Sequence, residues 1–169
     1  NAALDPGFPQ FYRESFGTSK KRKYPALKTI TDFLDTQKDL YSEVSWSVMW
    51  RFALNEKYEN WVLENRSKLT ELYGSEEVDD KISNIISVRV DRAGETKDEV
   101  AFKAALALID QYLPDQKENL TMSFSLDFYL KIGDWKKYSA TVQNHINKNG
   151  YKNTGFINGV SWTIYESCT

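Results

Sequence analysis

His145 and Cys168 are the only histidine and the only cysteine in the 169-residue chain. Hydrolytic chemistry needs a nucleophile, a base and an orienting acid held in one constellation. His145 could act as a general base. It stands three residues after Val142, at the edge of an apolar helical face, with no nucleophile near it in sequence. A lone histidine so placed reads first as a partly buried packing residue. Cys168 could be a reactive thiol, but no lysine, arginine or histidine adjoins it to lower its pKa. It reads as an incidental cysteine. The carboxylates Glu76-Glu77, Asp79-Asp80 and Asp32/Asp35 fall at helix starts or on polar faces, where capping and solvation account for them. There is no CxxC pair, no Cys/His cluster and no Gly-rich phosphate loop. The expectation is therefore no catalytic residue, no cofactor and no metal. Asn65-Arg66-Ser67 and Asn119-Leu120-Thr121 match the glycosylation tripeptide, a pattern that also arises by chance.

The aromatic residues offer a different chemistry. They make up 14% of the chain, with five Trp and ten Tyr. In a helical domain most of these pack cores and helix interfaces. Trp46, Trp50 and Trp61 nevertheless lie close in sequence and could share a groove for a peptide or a glycan. The formal charge of -2 leaves no basic excess for nucleic acid. Lys20-Lys21-Arg22-Lys23 forms a local basic run, read as a solvated loop before an anion-binding patch. No apolar run reaches membrane-spanning length. Asn1-Ala2 reads as the remnant of a cleaved expression tag, so residues 1–2 are set apart from the fold.

The elements that must position these side chains are helices. The clearest stretch runs from Asn119 to Gly150. Leu120, Phe124, Phe128 and Ile132 recur every fourth position, with Met122, Leu126 and Tyr129 beside them, which is a broad apolar face at helical period. Gly133 suits a left-handed C′ position, and Asp134 suits the N-cap of a following helix. That helix carries Trp135, Tyr138, Val142 and Ile146 on one face. A turn this short sets the two helices antiparallel. Residues 3–23 read as a loop and a short helix ending at Gly17, pinned by Phe11, Tyr12 and Phe16. Residues 24–169 read as one helical domain. A short helix follows Pro25, with Leu27, Ile30, Phe33 and Leu34 on its apolar face. The segment from Ser42 to Asn55 shows two apolar stripes, which predicts a helix buried on most sides. A single helix is expected from Tyr58 to Tyr73, ended by Gly74, with Ser75 as the next N-cap.

Val78, Ile82, Ile85, Ile86 and Val90 keep helical spacing, with a strand as the rival reading because of their β-branching. Lys81, Asn84 and Arg89 are assigned to the polar face. Ala93-Gly94 reads as a break, followed by a Thr96/Glu99 capping box. Ala101, Ala104, Ala105 and Ala107 then predict close helix approach, up to Pro114. A last helix runs from Thr154 to about Ser167. The expected fold is all-α, with antiparallel helix pairs stacked as an irregular, tetratricopeptide-like right-handed solenoid or bundle.

A family resemblance is carried by several segments: Tyr58 to Trp61 with Val62-Leu63-Glu64-Asn65-Arg66; Leu72-Tyr73-Gly74-Ser75-Glu76-Glu77-Val78 leading to Lys81-Ile82; Gly133-Asp134-Trp135; and Asn158-Gly159-Val160-Ser161-Trp162. The order of these features resembles the helical C-terminal extension of thioredoxin-like proteins of the Bacteroidetes, over about Ser42 to Ser167. The resemblance implies a thioredoxin fold upstream and a periplasmic or otherwise extracytoplasmic location. The chain itself has no CxxC, so no redox residue carries over. The expectation is a non-catalytic scaffold that holds a protein or peptide partner, or an attached domain. The alternative is a small-ligand or glycan module built on Trp46, Trp50 and Trp61.

Overall fold

The structure is a computed structural model that describes residues 7–16 and 24–168, apart from the side chains of Lys152 and Cys168. The tag-remnant, Gly17 and basic-run expectations fall outside the described residues. The chain is all-α, 83% helical, with no strand among the described residues. Among the described residues ten α-helices and two 3₁₀ turns follow in order. They group into two compact units, residues 1–85 and 86–169, with the division inside one long helix. The sequence reading takes 24–169 as one body. Within each unit the helices are packed, and no repeat or solenoid is shown among the described residues.

The first unit holds α1 (Gln10–Glu14), α2 (Leu27–Thr36), α3 (Glu43–Arg51), α4 (Glu56–Glu64), α5 (Arg66–Tyr73) and the start of α6 (Ser75–Thr96). Aromatic contacts pin α1, as its sequence predicts: Phe11 meets Phe33 and Phe52 edge-on at 5.7 and 5.6 Å. Ser42 caps α3 by accepting from the Ser45 N–H at 3.3 Å. The helix ends at Arg51, four residues before the expected end. Phe52 turns extended there and buries its ring, only 4% exposed. The expected single helix after Tyr58 is in fact two. Asn65 breaks it, its side chain donating to the Trp61 carbonyl at 2.8 Å and accepting from the Tyr41 hydroxyl. Gly74 ends α5 at φ +89°, a conformation costly for any side chain. Ser75 is the first residue of α6 and not its cap.

Helix beats strand in α6 because Val78, Ile82, Ile85, Ile86 and Val90 all fall on one buried face. The predicted break at Ala93-Gly94 does not occur. α6 runs on to Thr96, and Lys97 takes the left-handed position at φ 55°. A mid-helix glycine costs only about 1 kcal/mol, and here its missing Cβ has a use. A Cβ on Gly94 would lie 2.8 Å from Cδ of Lys131, whose chain crosses that point to pair with Asp91 and Glu95. The capping box fails with the break. Thr96 is helical and donates back to the Arg92 carbonyl at 3.1 Å, while Asp98 caps the next helix by accepting from Val100 and Ala101 at 2.9 Å.

The second unit continues with α7 (Glu99–Tyr112), a 3₁₀ turn (Pro114–Gln116), α8 (Lys117–Ile132), α9 (Trp135–Asn149), a second 3₁₀ turn (Gly150–Lys152) and α10 (Thr154–Cys168). Of the alanines expected to admit close packing, Ala105 is buried, whereas Ala101, Ala104 and Ala107 face solvent. The α8–α9 pair forms as its sequence predicts. Gly133 is left-handed at φ 77°, Asp134 donates its N–H to the Tyr129 carbonyl at 2.9 Å, and its carboxylate caps Lys137 N–H at 2.9 Å. Lys148 near the end of α9 pairs with Glu118 at the start of α8, which fixes the antiparallel sense. Phe128 is fully buried, stacked on Phe102 with centroids 4.0 Å apart.

Candidate functional site

The feature that sequence reading missed is Lys81. Assigned to the polar face of α6, it is 2% exposed. The signal was present: Lys81 stands three residues after Val78 and four before Ile85, so it shares the broad apolar face of a wide amphipathic helix. Its Nζ donates to the Phe52 carbonyl at 2.8 Å. That acceptor exists because α3 stops at Arg51 and leaves the carbonyl turned out of the helix. Asn84 Oδ1, one turn further along α6, lies 3.5 Å from the same nitrogen. Glu59 of α4 is also 2% exposed and supplies a negative charge toward the ammonium. It follows the same rule, sitting beside Tyr58 and three residues before Val62.

Burial penalises the ammonium form. It pushes Lys81 from an ordinary 10.5 down to about 8, against the smaller opposing pull of Glu59. The lysine borders a cleft of about 340 Å³ within the first unit, whose other walls are Tyr24, Trp50, Arg51, Asp80 and Asn84. Trp50 is 44% exposed and Tyr24 is 65% exposed. Arg51 is already engaged, its guanidinium bonded to the Ser15 carbonyl at 2.8 Å and lying 3.8 Å over the Phe16 ring. The cleft therefore offers one buried amine, one exposed carboxylate, one amide and two aromatic walls.

The three tryptophans singled out in the sequence take three different environments. Trp46 is 1% exposed, stacked on Tyr73 at 5.3 Å, and its indole N–H donates to Glu77. It has no surface to give a ligand, because one turn of α3 carries it inward. Trp50, four residues later, lies outside the buried face and forms a wall of the Lys81 cleft. As its two apolar stripes predict, α3 is buried on most sides, and only Glu43 and Trp50 are exposed along it. Trp61 is half-buried against Tyr41 at 5.0 Å. No strip of all three indoles exists. The carboxylate pairs are taken up in ion pairs and side-chain hydrogen bonds: Asp79 accepts from Arg66 at 2.9 and 3.2 Å, Asp32 pairs with Lys28 at 2.7 Å, and Asp35 accepts from the Tyr58 hydroxyl at 2.8 Å.

In the second unit His145 lines a groove of about 690 Å³ between α8 and α9, with Thr121, Ser125, Thr141, Glu118 and Lys148 among its other walls. Its ring nitrogen meets the Asn149 amide at 3.2 Å and its ring lies 4.4 Å from Phe156. No hydroxyl hydrogen-bonds to it among the described residues, so no nucleophile–base couple is assembled here. Lys148 holds the Glu118 carboxyl below its usual range. Cys168 lies outside the described side chains. Among the described residues no three His, Cys, Asp or Glu side chains converge as a metal site would, and no helix is long and apolar enough to cross a membrane. No protein-family model, no curated protein and no solved structure matches the chain.

Proposed function

We propose that the chain is a non-catalytic helical module that holds a protein or peptide partner. The observation that supports it is the last helix. No described side chain of α10 is buried. Trp162, Ile164 and Tyr165 stand 56%, 40% and 61% exposed, and Glu166 is the one charged residue between Thr154 and Cys168. Large apolar side chains gathered on one short helix lose unfavourable hydration when a second apolar surface covers them. An apolar or amphipathic peptide segment fits that chemistry, and a highly charged ligand does not. The wider reading places the module, in irregular tetratricopeptide-like helix pairs, as an accessory region of an extracytoplasmic thioredoxin-like protein. Its support is the segment resemblance from Ser42 to Ser167.

The test is selection of displayed peptides on the intact chain, followed by affinity measurement with a Trp162→Ala/Tyr165→Ala double variant. The proposal expects apolar peptides whose binding falls at least tenfold on the double variant. Equal binding to both chains would remove the role of α10. Substrate turnover that disappears on His145→Ala would contradict the non-catalytic reading. A second reading, a small-ligand module, is favoured by one observation: Trp50 and Tyr24 flank a cleft that contains a buried amine.

A further inference from the structure

We propose that Lys81 is a covalent site for a small aldehyde, which enters the Trp50–Tyr24 cleft and condenses with the lysine amine to an imine. The inference concerns the first unit alone and does not rest on the partner-binding reading of α10.

Three observations meet at this residue. The side chain is withdrawn from water yet borders an open cleft of about 340 Å³, large enough for a compact carbonyl compound. Its nitrogen is held in place by the Phe52 carbonyl at 2.8 Å, which orients the amine without neutralising it as a direct anion would. Burial also raises the fraction of free amine, the nucleophilic form. A lysine titrating at about 8 is roughly one-fifth unprotonated near pH 7.4, against about one part in a thousand for a lysine at 10.5. Reactive lysines in general gain nucleophilicity through such desolvation.

The step balances without an oxidant or reductant. The amine lone pair attacks the carbonyl carbon, the C–N bond forms and the C=O π bond breaks onto oxygen, which takes a proton to give a carbinolamine. The nitrogen gives up a proton, the hydroxyl leaves with a proton as water, and a C=N bond remains. The cleft is open, so water there takes the proton from nitrogen and supplies the one that leaves with the departing oxygen. When the imine is protonated it carries the same positive charge as the lysine ammonium, and Glu59 faces it as the counter-charge. Trp50 and Tyr24 supply flat apolar walls, which favour an aromatic over an aliphatic aldehyde.

The experiment is reductive trapping on the full chain. Benzaldehyde or acetaldehyde is added with sodium cyanoborohydride at pH 7.4, and modified lysines are mapped by peptide mass spectrometry. Lys28 and Lys68, both exposed, serve as internal references. Lys81 is expected to label at least tenfold faster than either reference, with the advantage shrinking above pH 10 as all lysines deprotonate. Trp50→Ala, a change at an exposed wall, is expected to slow benzaldehyde trapping at Lys81 severalfold and to leave acetaldehyde trapping within twofold. Lys81→Arg is expected to abolish the fast-labelling peptide. Labelling of Lys81 at or below the rate of Lys28 and Lys68 would overturn the proposal, whichever variants fold.

Discussion

The two units of this chain solve the burial problem in opposite ways. The first closes its core around charge. Lys81 and Glu59 are each 2% exposed, amid Trp46, Tyr58, Leu69, Val78 and Ile82, none of which exceeds 2% exposure. The second keeps its charges outside and leaves apolar surface uncovered, with Tyr151, Trp162 and Tyr165 each more than half exposed. Polar burial is costly unless it is paired, whereas exposed aromatic surface costs only the hydration that folding fails to remove. The first arrangement carries a buried amine beside a cleft, and the second carries exposed aromatic surface.

The largest expected effect separates core from surface within the second unit. Phe128→Ala removes a fully buried ring stacked on Phe102 and should cost about 3–5 kcal/mol in urea denaturation. Trp162→Ala, on a helix with no buried side chain among those described, should stay within about 0.5 kcal/mol. A comparable loss from the tryptophan change would mean that α10 is integral to the core.

The next effect belongs to the buried charge. Lys81 gives up its proton at about 8 in the folded chain and at its ordinary 10.5 in the unfolded one. The unfolded chain therefore binds more protons between those values, and stability rises with pH across that window. The contribution is fully present above 10.5 and is lost as pH falls through 8. The fall from 10.5 to about 8 puts its size at about 3 kcal/mol. Tyr58 and Tyr73 act in the opposite direction. Burial raises both, so the stability they confer is present below pH 10 and is lost as they ionise above it. Denaturation midpoints should climb from about pH 8 to about 10 and then fall as the tyrosines ionise. In Lys81→Met the climb should vanish.

The smallest effect tests a helix start. Asp98→Ala should cost about 1 kcal/mol, because two N–H groups at the start of α7 lose their acceptor. Thr96→Ala should change stability by less than about 0.5 kcal/mol, since its hydroxyl only bonds back along its own helix. The reverse order would restore the Thr96/Glu99 capping box.

Helices were legible wherever periodicity was wide and punctuation strong. Gly133 and Asp134 mark the α8–α9 turn because only a left-handed residue and a short acceptor suit those two positions. Gly94 misled because a glycine signals both a stop and a close approach, and only the position of Lys131 decides between them. Trp46 and Trp50 are one helical turn apart, so sequence proximity suggested a common surface; the wide buried face of α3 takes in Trp46 and ends short of Trp50, which lies on the narrow exposed arc with Glu43. Lys81 was hidden by its residue type. Its place between Val78 and Ile85 indicated the core, but the acceptor that makes burial tolerable, the Phe52 carbonyl, depends on where α3 ends. Long-range acceptors of this kind leave no local trace in a sequence.

The comparison between the units rests on Lys81 being a desolvated amine. A direct titration of its side chain by NMR, followed through the ε-carbon and ζ-nitrogen shifts in the intact chain, measures that property. The account predicts a midpoint at about 8, well apart from the exposed lysines. A midpoint of 10 or higher would contradict it, and with it the reactive-amine reading of the Trp50 cleft.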